Sequence, residues 1–399
     1  MGGKSMATEY QPIYQNRDFY VPAYDLQIEG LKQGAVVAKD ILEVRCADGL
    51  GQIDTFEITV NNWDAKNLDF KYTGAAGSGP DEYKGVYMPG KVVELRMGYL
   101  RPGRAASDSL QLMLAGTIKT VAPNFPASGQ PTLKVSGQSV LAKLLTEQET
   151  HYYGPNVTVS KIARTVVGRG TLKLNNLTVG IKTDANAEGQ ETALDHLLQD
   201  NQYDIVFLLQ LAQLQGYDLV LKDMKTKPYL FFGPSESNRF IAYRLEWGKS
   251  LISFQPTLST AKQVKEVVVR GWNALEKEKI EAKVTQDQLE IQPLRNQETL
   301  SDIKKDFQNC KEIIVDRPFR NDQEAKSFAK GQLLRLTRNT VTARGATLGT
   351  PDLRAGSKVE IIGLGPIFQG TYLIGSTSHH LGPGGYVTEF EAHLEERKS

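Results

Sequence analysis

Cysteine is almost missing from this chain: Cys46 and Cys310 are the two in 399 residues. They are far apart, with no CxxC clip and no even-spaced framework, so neither a metal knuckle nor a disulfide-stapled fold is encoded. A reducing compartment fits, and Cys46, inside an alternating segment, reads as a small core residue. Excess charge is missing too: Lys+Arg is 47 against Asp+Glu 46. This balance gives no pull toward nucleic acid or an anionic membrane surface, so no nucleic-acid specificity is expected. No apolar run approaches the ~20 residues that a membrane span needs. Histidine is sparse, at five, and no GxSxG elbow, HExxH helix or kinase set is present. Enzymatic function is therefore not expected, and no catalytic, cofactor or metal residue is assigned.

What is present is an echo between the two ends. Residues 89–98 read PGKVVELRMG and residues 355–365 read AGSKVEIIGLG. Each is followed by a Gly-Thr that opens another strand, AGTIKTV at 115–121 and QGTYLIG at 369–375. Each is preceded by an alternating segment that ends at a tryptophan, TFEITVNNW at 55–63 and VKEVVVRGW at 264–272. The pattern predicts an internal duplication. A chain that carries one β-domain twice presents similar surfaces at two angles, which suits a part of a symmetric assembly.

At this length two or three domains are expected. Residues 1–17 are polar, without the apolar core of a secretory signal, and read as a flexible tail. Residues 18–148 are mostly β: Phe56, Ile58 and Val60 share one face of a strand, and Glu57 and Thr59 the other. Gly-rich 72–85 and the segment 100–108 read as exposed loops, and SGQSVLAKLLTEQ (136–148) as a short helix that starts at Ser136 or Ser139. Residues 149–243 read as a small mixed α/β domain. It has helices at 158–170, 191–201 and within NQYDIVFLLQLAQLQGYDLVL (201–221), where Gly216 stands at the C′ position, and an edge strand or hairpin arm at 226–238. Residues 244–396 return to β. They include a charged excursion at about 274–320, a helix over 321–337 that Asn321 caps with Glu324, and four closing strands. The fold class is mainly β with α+β parts: two tube-like β-barrel domains separated by the small α/β domain.

Chemistry-bearing groups test poorly. GLGPIFQG (363–370) does not open a helix, as a phosphate-binding loop must, and reads as a hairpin turn. His379 and His380 are adjacent on a strand and point to opposite faces, so they read as a surface pair, with His393 on the next strand. His151 and His196 read as isolated and structural. Asp81-Glu82 lies in a loop and reads as solvating. Trp63, Trp247 and Trp272 read as core caps at strand ends.

Three segments carry a family resemblance. NQYDIVFLLQLAQLQGYDLVL resembles the D-x-x-FL-x-x-LA-x-x-x-G helix of the phage late control protein D family, which includes the hub portion of VgrG proteins. KEVVVRGW is similar to the strand after that family's middle domain. LRAGSKVEIIGLGPIFQGTYLIGSTSHHLGPGGYVTEFEAHL resembles its C-terminal barrel. In their order these segments cover roughly residues 18–396. The resemblance implies a structural baseplate hub of a contractile phage tail or phage-like contractile injection system. It implies a homotrimer forming a pseudo-six-fold ring between a hexameric tail tube and a trimeric spike. The implied partners are the tube protein, a spike on a separate chain (Ser399 leaves no room for an OB-fold or needle) and other baseplate proteins. The implied location is the bacterial cytoplasm during assembly and then the particle, without a membrane span. Which residues touch partners is unknown at this level; loops 72–85 and 100–108 and the excursion 274–320 are the candidates. Two further readings stay open: a glycan- or ligand-binding β-domain protein, and a hydrolase.

Overall fold

A computed structural model of the chain describes residues 13, 19–73, 83–101, 103, 109–170, 172–174, 177–194, 196–222, 227–234, 240–273, 276–289, 310–315, 319 and 321–397. The first β region holds β1 (Pro22–Ile28), β2 (Leu31–Lys32), β3 (Ile41–Gly49), β4 (Thr55–Asn61), the short pair β5 (Trp63–Asp64) and β6 (Asp69–Phe70), β7 (Val92–Tyr99), β8 (Leu110–Asn124) and β9 (Thr132–Ser139). Alternation places it as expected: Phe56, Ile58 and Val60 are buried with Val44, Cys46, Leu133 and Val135. The short helix expected within 136–148 is the 3₁₀ helix Val140–Leu145, with Ser139 at its N-cap position. Strand β9 runs on to Ser139, and the following apolar residues turn straight into the next core.

The middle region holds β10 (Gln148–Tyr153), the helix Val159–Arg169, β11 (Lys173–Leu174), β12 (Leu177–Thr178), β13 (Gly180–Thr183), β14 (Leu197–Tyr203), the helix Asp204–Gln215, β15 (Tyr217–Lys222) and β16 (Tyr229–Pro234). Gly216 caps the second helix at φ 69°, and its N–H reaches the carbonyls of Ala212 and Gln213. This is the left-handed terminus that glycine adopts without a Cβ penalty. Two expectations change here. The helix expected at 191–201 is in part strand β14, antiparallel to β10: pairing in the fold overrides local propensity. Of the two readings of 226–238, the hairpin arm holds, since β16 runs antiparallel to the preceding β15, whereas the edge strand does not, since β16 is central between β13 and β15.

The last region holds β17 (Phe240–Glu246), β18 (Leu251–Leu258), β19 (Glu266–Asn273), β20 (Glu278–Thr285), β21 (Lys311–Ile314), the helix Asp322–Arg338, β22 (Val341–Leu348), β23 (Ser357–Ile362), β24 (Gly370–Gly382) and β25 (Gly385–Arg397). Asn321 caps the helix by accepting the Glu324 N–H at 2.8 Å. The helix packs on a separate three-stranded sheet, β20–β19–β21, through Phe328, Ala329 and Leu333. So VKEVVVRGW does not occupy the place that TFEITVNNW has in the first region; β22 does. The charged excursion contributes β20 and β21, and residues 290–309 of it lie outside the described residues.

The chain is mainly β, as expected. In place of two separate closed barrels, among the described residues, stands one thirteen-stranded sheet whose pairing path is open, from β18 to β2. Its halves run in the same order: β3–β4–β9–β8–β7–β1, and β18–β22–β25–β24–β23–β17. The registers share two slips, while those at Leu95/Arg96, Thr371/Tyr372 and Ile241/Tyr243 belong to one half only. The β3·β4 pairing slips between Ile41 and Glu43, and the β18·β22 pairing between Leu251 and Ser253. The β8·β9 pairing slips between Ile118 and Thr120, and the β24·β25 pairing between Ile374 and Ser376. The Gly90 N–H donates to Ile118 O and the Gly356 N–H to Ile374 O, both at 2.8 Å. One pairing differs: β1 is antiparallel to β7, whereas β17 is parallel to β23. Of the expected tail, Ile13 is described, and it is fully buried against the second half with Leu245, Leu251 and Tyr372.

The helix Asp322–Arg338 approaches Gly216 so closely that a Cβ on Gly331 would lie 3.1 Å from the Gly216 Cα. Gly331→Leu is therefore expected to cost about 1–3 kcal/mol through overpacking. Gly168, with nothing within 4 Å of a Cβ, is the opposite case, and Gly168→Ala is expected to gain up to about 1 kcal/mol of helix stability. Denaturant midpoints of the two variants check both signs.

Candidate assembly interface

Strand β24 is long enough to serve both halves. Its first residues pair with β23, and on the same side residues 376–381 pair with β3 of the first half: Ser376↔Gly49, Thr377↔Asp48, His379↔Cys46 and Leu381↔Val44. Beneath this junction lies a buried polar cluster. Arg354, in the turn before β23, donates through Nε to Asp48 Oδ2 at 2.7 Å and through Nη1 to the Met113 carbonyl at 2.9 Å. Its Nη2 lies 3.8 Å from Asp54. The Ala355 N–H and the Thr377 hydroxyl also donate to Asp48. One side chain of the second half thus ties down β3, β8 and the β3–β4 turn of the first.

His379 completes the cluster. It is wholly buried, its Nε2 lies 3.1 Å from the Leu353 carbonyl, and its Nδ1 lies 3.0 Å from the Tyr386 hydroxyl and 3.1 Å from that of Thr388. A carbonyl only accepts, so Nε2 carries the proton and Nδ1 accepts. Burial, helped by the Arg354 charge, pushes the His379 pKa down to about 3, which keeps the ring neutral. Burial pushes Asp54 up, as does the Asp48 charge, while Arg354 pulls the other way. Burial alone works against the charge of Arg354, but the neighbouring carboxylates, Asp48 foremost, outweigh it and hold the guanidinium protonated. Burial likewise raises the Cys46 thiol to about 12, so no thiolate nucleophile forms there. These groups spend their hydrogen bonds on one another out of contact with solvent, an arrangement that locks strands.

The opposite face of the sheet is polar. A groove of about 610 Å³ runs over it, lined by Thr55, Ser378, Gln255, Glu389 and Arg344 among others. Two ion pairs lie on this face: Arg344 Nε is 2.9 Å from Glu391, and in the first half Lys134 Nζ is 2.7 Å from Glu57.

The sequence-level candidates are scattered. His380 points away from His379, as alternation requires, and meets Glu43 at 2.7 Å. His379 is not the surface residue it was expected to be, because the junction with β3 covers it. His393 meets the Arg338 carbonyl at 3.3 Å and His151 meets Glu149 at 2.9 Å; neither joins the cluster. Trp247 and Trp272 are about half exposed rather than core caps. The Gly363–Gln369 segment is the turn between β23 and β24. Residues 74–82, with Asp81-Glu82, and most of 102–108 lie outside the described residues. Asp48 and Arg354 were missed: each is ordinary in its local sequence, and 306 positions separate them.

The model of the family described as "Alg8 N-terminal domain" matches residues 24–382, most of the chain, and the chain belongs to that family. No curated protein matches the sequence. Among solved structures the chain is similar to a 43 kDa tail protein of prophage MuSo2 from Shewanella oneidensis, at 14% identity and a TM-score of 0.65 over 94% of this chain and 98% of that one. It is similar to a tail protein from Neisseria meningitidis MC58, at 12% identity and a TM-score of 0.63 over 94% and 97%. It is also similar to the Escherichia coli c3393 protein, a component of the type VI secretion system, at 12% identity and a TM-score of 0.55 over 94% and 79%. At these identities the shared property is the fold.

Removing one partner of a buried ion pair strands the other, so Arg354→Met is expected to cost about 3–5 kcal/mol in unfolding free energy. The pH dependence divides by group. His379, lowered in the folded state, contributes stability that is present above 6.5 and lost as pH falls toward about 3. Asp54, raised above 3.8, contributes stability that is present below that value and lost as pH rises through its folded pKa. The two slopes oppose each other on the acid side. Thermal midpoints between pH 4 and 8 should fall more steeply with acid in Asp54→Asn than in the wild type, and less steeply in His379→Asn.

Proposed function

We propose that this member of the Alg8 N-terminal domain family is a structural baseplate hub of a contractile phage tail or phage-like contractile injection system. The observation that carries the reading is the repeated strand order and register of the two sheet halves, within a fold shared with phage tail proteins over 94% of the chain. Two similar half-units per chain let three chains present six, so a homotrimer can join a six-fold tube to a three-fold spike. In this reading the halves arose by duplication, and each becomes a wall segment of a barrel that closes in the assembled ring. The late control protein D resemblance of the Asp204–Gln215 helix and of the 353–394 region supports the same assignment. The polar face would line the passage, and the apolar cores stay inside the wall. The spike, the tube protein and other baseplate proteins are the partners, with assembly in the bacterial cytoplasm before incorporation into the particle.

The role is mechanical and non-enzymatic. What supports this is that the Asp48, Arg354 and His379 groups are largely buried and spend their hydrogen bonds on one another. The glycosyltransferase-related sense of the family description makes a different demand, namely binding of a nucleotide sugar. Titration calorimetry with UDP- and GDP-sugars is expected to show no heat of binding; saturable binding would favour that reading instead.

Light scattering on a sizing column is expected to give a mass near three times the 44.2 kDa chain. A monomer at every concentration, and again in the presence of the spike protein, would overturn the hub assignment.

A further inference from the structure

The helix Asp322–Arg338 and the sheet β20–β19–β21 form a unit with a core of its own, built from Val267, Val269, Ile280, Phe328, Ala329 and Leu333 among others. The unit is inserted between β18 and β22, which are neighbours in the large sheet. Their pairing ends at Leu258↔Val341, and just beyond it the Ser259 N–H donates to the Thr340 carbonyl at 2.9 Å. Both connections to the unit therefore leave the sheet at one point, side by side. A folded unit tethered in this way can turn about its tether without breaking a strand pair.

The seat of the unit is narrow on one side and charged on the other. On the narrow side Gly331 lies on Gly216, and Leu214 packs against the unit's core. On the charged side the buried Glu395 of β25 lies 3.5 Å from Arg338 Nη2, at the end of the helix, and 3.5 Å from Lys358 Nζ of β23. The Arg338 carbonyl accepts from His393 Nδ1 at 3.3 Å. Nε and Nη2 of Arg338 are shut away from solvent and complete no hydrogen bond. The seam is the opposite case, since there Arg354 donates at 2.7 and 2.9 Å.

The first half shows how the same place is built when the neighbour stays put. The matching bonds of Gly90 and Gly356 align the halves. Val92 then stands where Lys358 stands, and Val140, which follows Ser139, stands where Glu395 follows Leu394. Val140 belongs to the core of the middle region, and Val92 packs against it. One neighbour is thus seated on apolar residues and the other on a carboxylate between two cations. Lifting the first would expose apolar surface to water. Lifting the second returns ions to water, and their hydration offsets much of the lost attraction. We propose that the helix Asp322–Arg338 and its sheet form a hinged arm that turns about Ser259 and Thr340 and is latched shut by Glu395. The arm goes beyond the hub reading and does not depend on it.

Pulsed electron resonance between two spin labels tests the arm. Lys326→Cys on the helix and Lys119→Cys in the first half are exposed sites. The background is Cys310→Ser, with Cys46 buried, and dilution with unlabelled protein confines the signal to pairs within one chain. With the latch intact, a short and a longer distance are expected. Arg338→Leu with Lys358→Val and Glu395→Val gives the second half the apolar seat of the first and should remove the longer distance. Glu395→Ala, which leaves two cations without their carboxylate, should raise the longer population roughly tenfold or more. The pair Lys119→Cys with Gln255→Cys, which spans the seam but not the arm, should keep one distance in every background. A single distance with the latch intact, or a longer population that neither change moves, would overturn the proposal. Should Glu395→Ala fail to fold, the comparison of the intact and apolar seats decides alone.

Discussion

The buried pair of Arg354 and Asp48 is the contact on which the two halves of this molecule depend. It lies under the seam where, among the described residues, the second half hydrogen-bonds along a strand of the first, and it gathers β3, β8, the β3–β4 turn and the loop before β23 at a single guanidinium. A charge removed from water is tolerated only if its partners are fixed. The hydroxyl of Thr377, the amide of Ala355 and the carbonyl of Met113 fix them. The neutral ring of His379 then fills the adjoining space without adding a second charge. The arrangement favours one relative placement of the halves over any slipped one, because a shift of the β24·β3 register would strand the pair.

That seam also explains why the sheet is continuous and not a pair of closed barrels. Closing a small barrel within one half would require its own end strands to meet. Instead β24 extends past β23 and gives its spare edge to β3.

The family description and the fold neighbours speak at different levels. Membership in the Alg8 N-terminal domain family rests on a match over residues 24–382; the likeness to phage tail proteins is one of architecture. A chemistry would have to live in a site with accessible groups. The densest cluster of ionisable groups described above lies at the seam between the halves.

Much of the local structure was legible in the sequence. Alternation marked β4, Gly216 and Asn321 marked helix ends, and the PGKVVEL and AGSKVEI segments marked equivalent strands β7 and β23. These are short-range effects of backbone sterics, capping and one-sided burial, and neighbouring residues carry them. The sequence did not reveal which alternating segment filled the β4 place in the second half: VKEVVVRGW and TVTARGATLG are both good strands, and only packing against β25 decides for the latter. It did not reveal that His379 is buried while His380 is not, since alternation separates their faces without saying which face another strand will cover. Nor did it show that Arg354 meets Asp48 from 306 positions away. Periodicity fixes what each segment can be; tertiary structure alone decides which edges meet, because strand edges expose the same backbone groups whatever their side chains.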